Sequence, residues 1–224
     1  MAQPLAPKAV LFDLDHTLTD RVRSMELVAA RLSRKFASRL EASSAQVRDC
    51  MLKADQNGYR PKEDFFQELI ETLSWNHRPT IDELASFWFK YFPRCTAERV
   101  GAIAAIHHCR SRGAKVGVVT NGSTMMQNAK IDALKIRPLL SCLIVSETVG
   151  IKKPDARIYQ IAMEQLRIPP FETVFIGDNP LYDVIAPQQL GMKSIWLRDI
   201  FDWPADHPAP RYAIGALSEL RDLI

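Results

Sequence analysis

Short apolar runs recur along the chain, and each is long enough for one buried strand. They are rich in valine, isoleucine and leucine, which is typical of strands that are covered on both faces. The five clearest runs are residues 9–12, 115–119, 141–145, 173–176 and 193–197. Between them, the pattern predicts helices over 97–112, from the turn at 120–123 to about 134, over 154–166 and over about 182–190. Strands that alternate with helices predict an α/β fold, a Rossmann-like parallel sheet with helices on both faces.

The segment 21–93 has a different pattern. Its first apolar residues recur at the spacing of one buried helix face, at Met25, Val28, Leu32, Phe36 and Leu40. Further helices are predicted over 45–54, 61–73 and 81–91, and Thr80 to Glu83 spells a capping box before the last of them. No strand pattern occurs between 20 and 93. We therefore predict an all-helical domain at 21–93, inserted into an α/β domain that consists of 1–20 and 94–224.

Composition and charge narrow the class of protein. The length of 224 residues suits one domain with a smaller one inserted, and 47% hydrophobic and 25% charged residues are ordinary for a globular protein. A formal charge of +3 is too small to indicate a nucleic-acid or membrane partner. The four cysteines lack a Cys-x-x-Cys spacing, so free thiols are expected and no zinc site is indicated. Because no signal-peptide or membrane-spanning pattern is found, we predict a cytoplasmic protein.

Polar side chains follow the predicted strands at their carboxyl ends. In chain order, these residues are Asp13, Asp15, Thr120, Asn121, Lys153 and Asp178. The carboxyl ends of parallel strands meet at one edge of a sheet, so these side chains are expected to converge. If the first strand continues through Asp15, its carboxylate and that of Asp13 lie on the same side. Three carboxylates, a hydroxyl and a lysine at one edge predict a site for a hard cation and a phosphate.

Each of these motifs also has an ordinary structural explanation. The acids at strand ends could cap the helices that follow, and Thr120-Asn121-Gly122 could be only a turn. Lys152 stands beside Lys153, so one of the two lysines could be a solvated surface charge. The combination of motifs on successive strand ends is what favours a functional site over these alternatives.

The motifs, in this order, resemble those of the haloacid dehalogenase-like superfamily in its phosphatase branch. The family's first motif, Asp-x-Asp-x-Thr, is similar to Asp13-Leu14-Asp15-His16-Thr17, where many members carry glycine in place of His16. The other three are similar to Thr120, Lys153-Pro154, and Gly177-Asp178 followed by Asp183. The resemblance extends from about residue 9 to 197, and it implies that the helical segment 21–93 is a type 1 cap.

The resemblance implies a magnesium-dependent phosphatase for a small phosphomonoester, such as a nucleotide, a sugar phosphate or a similar metabolite. It implies that Asp13 is the nucleophile, which forms an aspartyl-phosphate, and that Asp15 is the general acid and base. Magnesium is expected on the carboxylates of Asp13 and Asp178 and on the backbone carbonyl of Asp15.

The remaining site residues are expected to hold the phosphate. The resemblance assigns its oxygens to Thr120, to the backbone at Asn121 and to Lys153, and it places Asp183 behind them, where it orients Lys153 or a metal-bound water. Substrate selection is expected in the cap, where position alone suggests Arg21, Arg23, Tyr59 and Arg60. No pattern predicts the oligomeric state.

Four alternatives stay open at this point. A phosphosugar mutase shares all four motifs and the small cap. A 2-haloacid dehalogenase resembles the first motif but does not use its second acid, so Asp15 argues against that activity. A receiver-type signalling domain is also α/β, but its lysine follows the last acid and it has no helical insertion. A binding protein with a disused site would not need intact catalytic residues. Here every catalytic position is chemically intact, which argues against this alternative.

Overall fold

The structure is a computed structural model that describes residues 5–224. The chain forms two compact units. The sheet unit contains the chain up to Asp20 and Glu98–Ile224, and the helical unit is Arg21–Ala97. The assignment of residues 21–93 as a cap domain on a catalytic core stays a prediction.

Six strands form the parallel sheet of the sheet unit. They are β1 (Ala9–Phe12), β4 (Lys115–Thr120), β5 (Cys142–Val145), β6 (Thr173–Gly177), β7 (Lys193–Leu197) and β8 (Ala213–Ile214). Two short strands, β2 (Thr19–Asp20) and β3 (Ala97–Glu98), pair with each other and are not part of this sheet. Their order is β5-β4-β1-β6-β7-β8, and neighbouring strands are parallel. This is the strand order of a Rossmann fold. From β1, the chain adds β4 and β5 on one side and then β6, β7 and β8 on the other. The predicted fold class is confirmed, and β8 is an additional edge strand that no apolar run predicted.

Side chains of β1 alternate between the two faces of the sheet, as a doubly covered strand requires. Val10 and Phe12 pack on one face with residues of α5 (Ala102–Ser111) and α6 (Thr124–Ala133). Ala9 and Leu11 pack on the other face with residues of α8 (Ala156–Leu166). All four side chains are fully buried. The carboxyl end of β1 is therefore anchored by apolar packing on both sides.

Two predicted helices of the sheet unit differ from the structure. The helix expected from residue 97 begins only at Ala102, because Gly101 has a left-handed φ of 85° that interrupts it. The helix expected over 182–190 is a π-helix at Pro180–Ile185 followed by a short α-helix, α9 (Ala186–Gln189). Pro187 has no N–H to donate to the carbonyl four residues before it, which disfavours one continuous α-helix. The other short helices are α7 (Ser146–Val149) and α10 (Leu220–Leu223).

The helical unit contains α1 (Arg21–Lys35), α2 (Ser44–Asp55), α3 (Lys62–Thr72) and α4 (Ile81–Tyr91). The predicted capping box is present, since Thr80 Oγ1 accepts from the backbone N–H of Glu83 and the Glu83 carboxylate accepts from that of Thr80. α1 ends at Lys35, although the predicted apolar face continues to Leu40. No helix among residues 5–224 is long and apolar enough to cross a membrane.

A buried ion pair connects two helices of the helical unit. Arg21 donates to both oxygens of Asp55, at 2.7 and 2.8 Å, and the Lys62 ammonium lies 3.0 Å from the same carboxylate. We call Arg21, Asp55 and Lys62 the helical-unit ion cluster. A Cβ at Gly58 would lie 2.8 Å from the Arg21 guanidinium carbon, so this glycine makes room for the pair. Arg21 therefore connects α1 to α2, and its expected role in substrate selection stays a prediction.

Candidate active site

Asp13 lies directly after β1, at the carboxyl edge of the sheet. Its backbone N–H donates to the carbonyl of Ile176 in β6 at 2.9 Å. Asp13 is therefore held where β1 ends, next to β6. β1 ends at Phe12, and His16 in the next turn has a left-handed φ of 60°, a conformation that glycine adopts most easily. The premise that the strand continues through Asp15 is therefore wrong. The two carboxylates contact different lysines.

The Lys153 ammonium lies between two carboxylates. Its Nζ donates to Asp13 Oδ1 and to Asp183 Oδ1, each at 2.7 Å, and 3% of its side chain is exposed. Burial alone would lower the pKa of Lys153, but the charges of Asp13 and Asp183 raise it above the ordinary value. Lys152 is exposed. The geometry therefore favours Lys153 over its neighbour as the lysine of the site.

Asp13, Asp178 and Asp183 form a buried group, which we call the carboxylate cluster. One carboxylate oxygen of each lies within 4.8 Å of the other two. Gly177 permits this approach, because a Cβ there would lie 2.3 Å from Asp183 Oδ2. The same oxygen accepts from the backbone N–H of Asn179 at 3.0 Å. Glycine before Asp178 is thus required by the packing of Asp183 against the end of β6.

Two further side chains hold Asp178 in place. Thr17, the last residue of the Asp-x-Asp-x-Thr motif, donates from Oγ1 to Asp178 Oδ1 at 3.1 Å. Trp196 in β7 donates from Nε1 to the Asp178 carbonyl at 2.9 Å. Sequence reasoning did not assign either contact. Both are made across strands or turns far apart in the chain.

The carboxylate cluster carries more negative charge than Lys153 neutralises. Burial raises the pKa of Asp183 to about 7 against the opposing charge of Lys153, and Asp13 adds to the rise. Burial, together with the charges of Asp13 and Asp183, raises the pKa of Asp178 well above its ordinary value. Complete ionisation is therefore unfavourable unless a further cation is present.

The donor set fits Mg²⁺, which prefers hard oxygen ligands. The three acids offer only carboxylate oxygens, and a divalent ion would offset the surplus charge. The carboxylates that the structure brings together are those of Asp13, Asp178 and Asp183, whereas the predicted metal ligands were Asp13, Asp15 and Asp178. The contribution of Asp15 was expected through its backbone carbonyl, and it stays a prediction.

Thr120 and Asn121 lie at the end of β4 and connect the site to the lysine loop. Asn121 Nδ2 donates to the Lys153 carbonyl at 3.0 Å, and Asn121 Oδ1 accepts from the Lys153 N–H at 2.8 Å. The Asn121 side chain therefore positions the backbone of Lys153. Thr120 Oγ1 accepts from Gln127 Nε2 at 2.7 Å. The expected phosphate contacts of Thr120, Asn121 and Lys153 stay predictions.

Two residues of α6 reach the site and were missed by sequence reasoning. Lys130 Nζ donates to Asp15 Oδ1 and Oδ2 at 2.8 and 2.7 Å, and Gln127 Nε2 donates to Asp15 Oδ2 at 3.1 Å. Their three-residue spacing places both on one face of a helix, which is the signal that could have found them. That spacing alone does not tell which face of α6 meets the site.

Residues 7–191 match the haloacid dehalogenase-like hydrolase family. Because this match covers most of the chain, the protein belongs to that family. The predicted resemblance is confirmed, and the matched range contains the strand-end residues described above.

Curated relatives are phosphatases of small molecules by their names. The glyceraldehyde 3-phosphate phosphatase of Methanocaldococcus jannaschii is 25% identical over 234 residues, which cover 97% of this chain and 96% of the relative. The pyrimidine 5'-nucleotidase YjjG of Escherichia coli is 29% identical over 125 residues, and the match spans only 55% of each chain.

Solved structures share the fold over nearly the whole chain. A HAD phosphatase from Thermococcus onnurineus is 26% identical with a TM-score of 0.63, and the match covers 96% of both chains. The L-2-haloacid dehalogenase of Xanthobacter autotrophicus has a TM-score of 0.70 at 18% identity, covering 97% of this chain and 98% of the other. The second likeness concerns the fold alone.

Proposed function

We propose that this protein is a magnesium-dependent phosphatase that hydrolyses small phosphomonoesters through an aspartyl-phosphate at Asp13. The observation that carries the proposal is the carboxylate cluster around Lys153, with Lys153 Nζ at 2.7 Å from both Asp13 and Asp183. A buried site with surplus negative charge suits a divalent cation, and that cation together with Lys153 suits a phosphate dianion. Membership of the hydrolase family and the phosphatase names of the relatives support the same activity.

The first chemical step needs one carboxylate that attacks and one that carries a proton. An oxygen of Asp13 attacks phosphorus and forms an aspartyl-phosphate, while the bond from phosphorus to the leaving oxygen breaks. Asp15, protonated at this stage, donates its proton to the leaving oxygen. Solvent water can reach Asp15, since 25% of its side chain is exposed, compared with 11% for Asp13.

The second step regenerates the enzyme. Asp15 takes a proton from a water molecule, the water oxygen attacks phosphorus, and the bond between phosphorus and Asp13 breaks. The products are inorganic phosphate and the free Asp13 carboxylate, and Asp15 is protonated again. One acid therefore serves as proton donor and then as acceptor.

The other residues would bind the cation and would neutralise and orient the phosphate. The carboxylates of Asp13 and Asp178 and the carbonyl of Asp15 would hold Mg²⁺, with Asp183 beside them. When bound, Mg²⁺ supplies positive charge that offsets the phosphate oxygens. Lys153 neutralises Asp13 and the phosphate, so that one anion can approach another. Thr120 and the backbone at Asn121 orient the remaining oxygens.

Small metabolites are the proposed substrate class, and the helical unit is the proposed cap that selects them. The names of two relatives support testing nucleotides and triose phosphates first. Little activity is expected on folded phosphoproteins, because a cap that selects small substrates excludes large ones. We further propose a soluble cytoplasmic enzyme with no nucleic-acid partner.

A substrate panel tests the proposal. Purified protein is assayed with nucleoside monophosphates, triose and sugar phosphates and phosphoserine, first in Mg²⁺ and then in EDTA, and with Ca²⁺ in competition. We expect hydrolysis in Mg²⁺ only, with Ca²⁺ inhibiting because its looser coordination misplaces Asp13. Full activity in EDTA would remove the magnesium assignment, and phosphate transfer between sugar hydroxyls without release would favour the mutase.

The covalent step has its own test. Asp13→Asn and Asp15→Asn are each mixed with 4-nitrophenyl phosphate, and the peptide that contains residue 13 is examined by mass spectrometry for one added phosphoryl group. We expect an adduct that accumulates in Asp15→Asn and no adduct in Asp13→Asn. Unimpaired turnover by Asp15→Asn would contradict the acid–base assignment and reopen the dehalogenase alternative, which chloride release from 2-chloropropionate would then decide.

A further inference from the structure

The Asp15 carboxylate is held by side chains of a helix that lies 112 to 115 residues further along the chain. Lys130 Nζ contacts both carboxylate oxygens, at 2.8 and 2.7 Å, and Gln127 Nε2 donates to one of them at 3.1 Å. Thr19 Oγ1 donates to the other at 3.4 Å. Both oxygens of Asp15 are thus fixed, and the plane of the carboxylate is set mainly from α6.

Gln127 also connects Asp15 to the end of β4. The same Nε2 lies 2.7 Å from Thr120 Oγ1 and 3.1 Å from the Asn121 carbonyl. One amide therefore joins the proposed general acid to a proposed phosphate-binding hydroxyl. Gly122, with a φ of 148°, makes room for it, since a Cβ there would lie 2.9 Å from the Gln127 carboxamide carbon.

Burying these two side chains is costly, and packing does not demand it. Lys130 is 4% exposed and Gln127 is 2% exposed. A buried ammonium loses several kcal/mol of hydration, so replacing such a pair by apolar residues of similar volume is often neutral or stabilising. A hydrogen-bonded carboxylate in one orientation is what a proton-transfer residue needs, because a misplacement of about 1 Å can cost about 100-fold in rate.

We propose that Lys130 and Gln127 are positioning residues that hold the Asp15 carboxylate beside Thr120 in the orientation required for proton transfer to the leaving group and from water. The inference rests on the proposed function, since it assigns Asp15 the acid–base role. Lys130 and Gln127 touch neither the phosphate nor the metal site in this assignment. They act on the reaction through Asp15, and Gln127 also contacts the hydroxyl of Thr120.

A comparison of two leaving groups separates positioning from a structural role. Gln127→Met keeps the length of the side chain and Lys130→Met shortens it by one atom, and both remove its hydrogen bonds. Wild type and both variants are assayed in Mg²⁺ with 4-nitrophenyl phosphate, whose leaving group needs little protonation, and with phenyl phosphate, whose leaving group needs more. Rates of single-turnover phosphorylation, kcat and KM are measured for each, and Tm records folding.

We expect Lys130→Met to lose about 100-fold in phosphorylation rate with phenyl phosphate and less than about 10-fold with 4-nitrophenyl phosphate, with KM little changed. Gln127→Met is expected to lower the same phosphorylation rates in the same pattern, by a smaller factor. Lys130→Arg, which retains donors, should recover part of the loss. Lys135→Met removes an exposed lysine just after the same helix and should change neither substrate's rate.

The outcomes are distinguishable. Equal losses with both substrates, or a change confined to KM or Tm, would overturn the positioning role while leaving the phosphatase in place. Unchanged rates in both variants would overturn it as well. Absence of turnover and of an Asp13 adduct in the wild type would instead overturn the proposed function, and this inference with it.

Discussion

The two units each bury a cluster of charges, and the two clusters are balanced in opposite ways. In the helical-unit ion cluster, one carboxylate, Asp55, faces Arg21 and Lys62. Burial would raise the pKa of Asp55, but these two cations hold it below its ordinary value. In the sheet unit, three carboxylates surround one lysine, and the pKa values of Asp178 and Asp183 are raised.

The difference agrees with a structural role for the helical-unit ion cluster and with the proposed catalytic role of the carboxylate cluster. A buried anion with two cationic partners needs no ligand, so the helical-unit ion cluster can fix the positions of α1, α2 and α3 by itself. A surplus of buried negative charge is unfavourable in the free protein and becomes favourable only with a bound cation. Groups with strongly perturbed pKa values gather at functional sites for this reason. Substitutions in the two clusters should therefore have opposite effects on folding.

The largest expected effect is on the helical unit. Asp55→Asn leaves the Arg21 guanidinium buried without its charge partner, and breaking such a pair from one side costs about 3–5 kcal/mol. A loss of that size lowers Tm by about 6–20 °C in a protein of this length. Thermal unfolding measures the loss, and hydrogen exchange should locate it in peptides of 21–97. Asp49→Asn removes an exposed acid of the same helix and should have little effect. Equal Tm values for the two variants would refute the structural role of the cluster.

The next effect is on catalysis. Lys153→Ala removes the ammonium that neutralises Asp13 and the phosphate, and loss of one such stabilising donor costs about 10²–10³ in kcat. Lys152→Ala, which removes the exposed neighbour, should retain nearly full activity. Both are assayed at saturating Mg²⁺ with the best substrate of the panel. If Lys152→Ala lost activity and Lys153→Ala retained it, Lys152 would be the lysine of the site. The comparison of the two charge clusters would then fail.

Much of the sheet unit could be predicted because the informative signals are local. Apolar runs locate the buried strands, and the residues directly after them, such as Asp13, Thr120 and Asp178, must lie at the carboxyl edge whatever the details of packing. Lys153 was chosen by its place before Pro154, and the structure puts its ammonium between Asp13 and Asp183.

The missed features depend on how distant elements meet. Lys130 reaches Asp15 across 115 positions of chain, and only the rotation of α6 about its axis decides that contact. Arg21 pairs with Asp55 in another helix, a contact that its position in the sequence did not indicate, and its expected role in substrate selection stays a prediction. The strand β8 has two residues, too few for any period to appear. In each case the deciding term is tertiary packing rather than local propensity.

A smaller effect of opposite sign is expected in the carboxylate cluster. Asp178→Asn keeps the oxygen that accepts from Thr17 and removes one negative charge, and each unit by which a carboxyl pKa is raised costs the ionised form about 1.4 kcal/mol. In EDTA at pH 8 we expect the variant to be more stable than wild type, because the ionised Asp178 carboxylate is unfavourable there. It should lose both activity and stabilisation by Mg²⁺. Asp222→Asn, an exposed control in the sheet unit, should change none of these. A less stable Asp178→Asn would mean that the cluster is already balanced without metal.

The most gradual effect is the pH dependence of the metal-free protein. The folded-state pKa of Asp183, about 7, lies above the ordinary value of 3.8, so the native state binds a proton that the unfolded state releases. Stability from this group is present below about pH 4 and is lost as pH rises to about 7, by at most about 1.4 kcal/mol per pH unit. The pKa of Asp55 is lowered, so its contribution is present above the ordinary carboxyl pKa and is lost as pH falls below it.

The two clusters therefore predict that the protein in EDTA is most stable at mildly acid pH. Below that pH the helical unit should lose stability, and toward neutral pH the sheet unit should lose stability. Thermal unfolding from pH 3 to 8.5, with hydrogen exchange to assign each change to a unit, measures both limbs. Mg²⁺ binds the ionised cluster, so its stabilisation should grow with pH. It should offset part of the loss of stability toward neutral pH, by about 2.7 kcal/mol at 100 times its Kd. A stability in EDTA that rises steadily to pH 8 would show that the carboxylate cluster carries no surplus charge, and the two clusters would then be alike.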